Sequence, residues 1–184
     1  MKNKEKILPI LGVIVAMVIS IANSVYGENT DPKSQEQEIS IIYQAHVQDV
    51  GWQDWASDGE IAGTTGENKK MEAIKIKLSN ANSNIHIKYR AHVQDIGWQE
   101  WKYDGEEAGT TGQGKKIEAI QIEIEGSEEY TVRYQAHVQD IGWQEWTNEG
   151  KIAGTTGKNK KMEAIKIEMT KKTKVAQIYI DAPR

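Results

Sequence analysis

The stretch Tyr43-Gln-Ala-His-Val-Gln-Asp-Val-Gly-Trp-Gln-Asp-Trp55 decides the fold, because it returns almost unchanged at Tyr89–Trp101 and again at Tyr134–Trp146. Extended to 36 residues, the three copies (43–78, 89–124 and 134–169) align without a gap and carry the same residue at 22 positions. Offsets of 46 and then 45 residues mean that one supersecondary unit is written three times, each too small to bury its apolar face alone. Any function must then be explained three times over, which favours repeated binding surfaces over one catalytic centre.

Each copy opens on strict alternation. Ile39, Ile41, Tyr43, Ala45 and Val47 share one parity, with Ser40, Gln44, His46 and Gln48 on the other. Ile85–Val93 and Tyr130–Val138 repeat the pattern, and a period of two is that of a half-buried β-strand. A second short strand carries the tryptophan pair. It is followed by the turn dipeptides Asp58-Gly59, Asp104-Gly105 and Glu149-Gly150. Ala62-Gly63-Thr64-Thr65-Gly66 suggests a tight turn or bulge, and Met71–Leu78 closes the unit as another strand. No helical period is evident beyond the N-terminal segment.

Three to four strands per 45 residues also suit a propeller blade, but propellers use four to eight blades. The expected fold is all-β, with the three tandem repeats forming a closed pseudo-threefold domain of β-trefoil or β-prism type. The boundaries are 39–78, 85–124 and 130–169 within a single domain spanning 39–181. Ala176, Ile178 and Ile180 mark a closing strand near 174–180.

Residues 1–27 have the layout of a secretory signal: Lys2, Lys4 and Lys6, an apolar run from Ile7 to Ala22, then small and polar residues ending at Gly27. The apolar run falls just short of a bilayer span, so membrane contact is expected only if this segment stays uncleaved. Residues 28–38, polar and containing Pro32, read as a linker. The chain as a whole carries a formal charge of −4. Its acidity disfavours nucleic acid, whose phosphates call for clustered Lys and Arg. The absence of cysteine excludes disulfides, thiolate metal sites and cysteine nucleophiles.

Trp52 and Trp55 lie three apart, so in one continuous strand they face opposite sides. Val50 shares the parity of Trp52, which assigns Trp52, Trp98 and Trp143 to the core and leaves Trp55, Trp101 and Trp146 to meet a ligand. An exposed indole covers the apolar face of a pyranose while neighbouring amides and carboxylates bond its hydroxyls. Gln53, Gln99 and Gln144 with Asp49, Asp95 and Asp140 supply such groups, although the same residues suit loop-fixing hydrogen bonds. His46, His92 and His137 recur once per copy as further contact candidates. Convergence of the three on an axis would suit zinc or nickel, but no neighbouring His or carboxylate spacing within a copy supports it, so neither metal nor cofactor is expected. Nothing pairs two carboxylates for acid–base work, and no serine recurs in all three copies. The chain is therefore expected not to be an enzyme.

Tyr134–Trp146, followed by Ala153-Gly-Thr-Thr-Gly157 and Met162-Glu-Ala-Ile-Lys-Ile167, closely resembles the clostridial hydrophobic repeat with conserved tryptophan, the ChW family. The resemblance covers residues 39–169. It implies an exported or cell-surface protein of a clostridium-like bacterium, whose repeats bind polysaccharide or other surface proteins. Family members often join such repeats to hydrolases, peptidases or adhesin-like domains, whereas here the repeats are expected to be the whole product. The family brings no catalytic residues, and its conserved tryptophan corresponds to Trp52, Trp98 and Trp143. The expectation is a secreted or cell-surface binding module with three equivalent sites for polysaccharide. The alternative is a protein-interaction module that docks exported enzymes or adhesins.

Overall fold

A computed structural model describes residues 38–173 of the chain. The signal segment, most of the linker and the expected strand near 174–180 lie outside the described residues. Among the described residues every regular element is a strand. The first copy contains β1 (Ser40–Val47), β2 (Gly51–Trp52), β3 (Ala56–Ser57), β4 (Ala62–Gly63) and β5 (Met71–Ser79). The second has β6 (His86–Val93), β7 (Gly97–Trp98), β8 (Lys102–Tyr103), β9 (Ala108–Gly109) and β10 (Ile117–Glu125). The third has β11 (Tyr130–Val138), β12 (Gly142–Trp143), β13 (Thr147–Asn148), β14 (Ala153–Gly154) and β15 (Met162–Lys171).

The alternation read from the sequence is the alternation observed. Ile41, Tyr43, Ala45 and Val47 are fully buried and their strand neighbours are not. Each first strand pairs antiparallel with the last strand of its copy, and the two short strands after the hairpin lie along the first strand's other edge. The hairpin reverses through Asp49 and Gly51, both at positive φ. The pairing of β1 with β5 shifts register between His46 and Val47, so Glu72 stands opposite no residue and forms a bulge. The same bulge recurs at Glu118 and Glu163.

Ala62–Gly66 was expected to form a tight turn or bulge; the chain does bend at Thr65–Glu67, but Ala62-Gly63 and its counterparts form exchanged strands. β4 pairs with β15 of the third copy, β9 with β5 of the first and β14 with β10 of the second. Three five-stranded sheets result, each completed by a strand from another copy. None of the sheets closes on itself; the ring lies in the exchange between them.

The exchange needs glycine. At Gly63, Gly109 and Gly154, φ is near +100°, and an added Cβ would stand 2.3–2.4 Å from the bulged glutamate's carbonyl oxygen in the neighbouring copy. Threonine follows each glycine, and its N–H bonds that same carbonyl at 2.8–2.9 Å.

Tyrosine ties the ring from inside. The Tyr43 hydroxyl donates to the Glu60 carbonyl and accepts from the Ile167 N–H at 3.1 Å. Tyr89 links Glu106 to Ile76, and Tyr134 links Lys151 to Ile122, in the same way. Three buried phenols thereby satisfy backbone groups of two copies at once. Burial pushes the Tyr43 phenol up to about 12 and raises Tyr89 and Tyr134 as well. Apart from these rings the core is aliphatic: isoleucines, valines, alanines and methionines.

Candidate functional site

The residues of opposite parity on β1, β6 and β11 build an outer face on each sheet. Trp52 pairs directly with His46, and opposed residues of paired strands share a face. Trp52 therefore points outward with the histidine. The rings meet edge to face, with centroids 5.4 Å apart, and the second and third copies show the same contact at 5.3 Å. Trp52, Trp98 and Trp143 are half-buried on this outer face, which corrects their assignment to the core. Parity is not carried across the reversal at Asp49–Gly51, as Val50, 49% exposed, confirms. The interior is filled instead by Tyr43, Tyr89 and Tyr134.

Trp55 was expected on the face opposite Trp52, on the premise of one continuous strand. The short strand ends at Trp52, its last ladder bond running from the Gln53 N–H to the Ala45 carbonyl at 3.0 Å, and the Gln53 side chain turns to the exchanged strand. The Gln53 amide oxygen accepts from the Gly63 N–H at 2.6 Å and its Nε2 donates to the Gly63 carbonyl at 3.1 Å. Gln99 holds Gly109 and Gln144 holds Gly154 in the same two-ended clamp. The loop-fixing alternative is thus the one the geometry gives for these glutamines. Replacing Gln99 by Ala strips both backbone groups of Gly109 of their side-chain partner. We expect a loss of about 1–3 kcal/mol, measured by urea unfolding.

With the strand broken, both indoles of each copy reach the outer face, where each meets a cation. Lys75 Nζ lies 4.5 Å from the Trp52 ring centroid and Lys77 Nζ 4.5 Å from that of Trp55. In the second copy Arg90 spans Trp98 and Trp101 at 5.0 and 4.8 Å, with Lys88 also over Trp101. In the third, Lys166 covers Trp143 and Arg133 covers Trp146. Trp55 is 40% exposed beside a shallow concavity lined by Asp54, Glu60 and Ile61. Trp101 and Trp146 are half-buried.

Asp49, Asp95 and Asp140 occupy left-handed positions of the hairpin turns, φ 59–61°. Asp95 and Asp140 also bind Lys115 and Lys160 at 3.1 Å. His46, His92 and His137 do not converge, because each sits on its own sheet's outer parity. Each Nδ1 lies 3.2 Å from the bulged glutamate of its copy. Among the described residues no group of three His, Asp or Glu side chains has the spacing to hold a metal ion.

Those glutamates, Glu72, Glu118 and Glu163, are the residues that sequence reasoning undervalued. They are only 6–7% exposed, and a buried carboxylate needs partners. A lysine two residues earlier approaches each at 3.6–3.7 Å. The same lysine reaches into the next copy: Lys70 to the Gly114 carbonyl at 2.5 Å, Lys116 to Asn159 Oδ1 at 2.6 Å and Lys161 to Asn68 Oδ1 at 2.7 Å. The available signal was a glutamate unchanged three times beside three apolar residues, as in Met71-Glu-Ala-Ile74.

No curated protein and no solved structure matches the chain. A family model described as clostridial hydrophobic W, ChW, matches residues 46–80, 92–126 and 137–171. Each match runs from the outward histidine through both tryptophans and the glutamine clamp to the end of the last strand. With more than half of its residues inside these three matches, the chain belongs to the ChW family.

Proposed function

We propose that this chain is a secreted or cell-surface binding module, without catalytic activity, that holds polysaccharide at three equivalent outer faces. One observation carries the proposal: both indoles of every copy stand on the outer face while tyrosine and aliphatic side chains fill the core. Tryptophan kept on the outer face six times over, with the core filled by other side chains, sets an indole surface where a ligand can reach it. Under this proposal the strand exchange arranges the three sheets as a closed, prism-like body, so that each lobe presents its face to the same polymer. Three weak sites on a repetitive target reach an avidity about 10² to 10⁴ above one site.

Docking of an exported protein is the second reading, and Val50, Ile96 and Ile141 favour it. These aliphatic residues are 47–49% exposed at the three hairpin tips, where a protein partner would cover them.

The test is titration with a panel of polysaccharides, followed by tryptophan fluorescence. Replacement of Trp55, Trp101 and Trp146 together by Ala is expected to abolish the fluorescence change, with circular dichroism showing a folded chain. Undiminished binding by that folded variant moves the site elsewhere. Specific capture of one surface protein, with no glycan bound, selects the second reading.

A further inference from the structure

Between the row that holds Trp52 and His46 and the row that holds Ser57, each outer face has a middle row of two facing residues. In the first copy these are Gln44 and Lys75, in the second Arg90 and Gln121, in the third Gln135 and Lys166. The second copy exchanges the two partners: the cation comes from the first strand instead of the last, and the amide does the reverse. Yet the cation lies over the equivalent indole, Trp52, Trp98 or Trp143, in every copy. One cation and one carboxamide beside that indole are thus retained through a change of strand.

In the second and third copies the next row out is neutralised within the chain. There Lys88 pairs with Glu123 at 3.1 Å and Arg133 with Glu168 at 2.6 Å. In the middle row Lys75, Arg90 and Lys166 have no carboxylate within ion-pair distance among the described residues. Arg90 bonds only the neutral Gln121 oxygen, at 2.8 Å. Gln121 and Gln135 donate to the Gly150 and Gln144 carbonyls at 3.0 and 2.8 Å, so the amides hold the row in place, and the three cations held on indoles, none neutralised, are the groups suited to anions from outside the chain.

We infer that the middle row reads a carboxylate, and that the target is an acidic polysaccharide of the polyuronate class. The inference rests on the outer faces being glycan sites. The cation that recurs over the equivalent indole of every face matches a singly charged carboxylate on a sugar whose apolar face lies against tryptophan; the first face adds Lys77, over Trp55, which likewise has no carboxylate within ion-pair distance among the described residues. A densely charged polyphosphate would set further charge against Glu123 and Glu168.

The experiment is calorimetric titration of the full chain with polygalacturonate, its fully methyl-esterified form, a neutral glucan and polyphosphate. The triple variant K75Q/R90Q/K166Q is run beside it. Polygalacturonate is expected to bind, and to weaken at least about tenfold on esterification, in the variant and on raising salt, since three exposed ion pairs are lost together. Equal affinity for the esterified polymer, tighter binding of polyphosphate, or a folded variant that binds as well as the parent overturns the inference. Binding of the neutral glucan alone also overturns it but leaves glycan binding standing, whereas no glycan bound removes both. The esterification arm uses the unaltered chain, so an unfolded variant does not blunt the test.

Discussion

Gly109→Ala is expected to destabilise the domain by at least about 3 kcal/mol, from steric overlap and backbone strain combined. The added methyl would stand 2.3 Å from the Glu72 carbonyl oxygen and 2.6 Å from Ala73 Cα, both backbone atoms with no rotamer to move into. Relief requires β9 to leave β5, and with it go the Thr110 bond to Glu72 and the purpose of the Gln99 clamp. Gly112→Ala is the control. It has similar handedness, φ +71°, with nothing within 4 Å, so only the strain of about 1–2 kcal/mol remains. Urea unfolding separates the two. Equal losses would show that the tight approach between copies does not govern the fold.

Alkali is expected to unfold the protein steeply. The unfolded phenol ionises near 10, whereas burial holds the Tyr43 proton up to about 12 and raises Tyr89 and Tyr134 also. Above pH 10 the unfolded chain sheds protons that the folded chain keeps, so folding stability falls as pH rises. Each tyrosine contributes up to about 1.4 kcal/mol per pH unit, and three together about 4. Lys88, raised by its bonds to Glu125 and Glu123, acts in the same direction. Tyr89→Phe separates the contributions. It strands the Ile76 N–H and the Glu106 carbonyl, lowering stability at pH 8 by about 1–3 kcal/mol, while the alkaline slope shrinks by about one tyrosine. Denaturant midpoints measured from pH 8 to 11.5 check both; a flat profile above pH 10 would exclude the phenols as the alkaline weak point.

The long strands were legible because burial imposes a period of two, and Ile41 through Val47 record it without interruption. The repeat itself was legible as plain identity. The site was harder to see. Parity arguments hold only along one strand, and two local events break that condition in each copy: the reversal at Asp49–Gly51, and the end of the short strand between the two tryptophans. Both tryptophans consequently arrive on one face, where counting from Val50 had placed Trp52 inside. The exchanged strand escaped notice for a related reason. Ala-Gly is too short to show any period, and its pairing partner lies in another copy. What Gly-Thr-Thr-Gly disclosed was a need for unusual backbone; where that backbone went depended on contacts about 35 or 100 residues away.

The exchange of a two-residue strand around the ring also sets a rule of stoichiometry. One copy excised from the chain owns both a strand that has lost its acceptor and a sheet edge that has lost its donor, and these two parts fit each other only between molecules. Separate copies are thereby matched to assemble in threes, and a chain bearing two copies is left with an unfilled berth for a stranger. The count of repeats in a folded body is in this sense not freely variable, and lengthening such a protein by one unit at a time would leave unmatched ends at every step short of the next full ring.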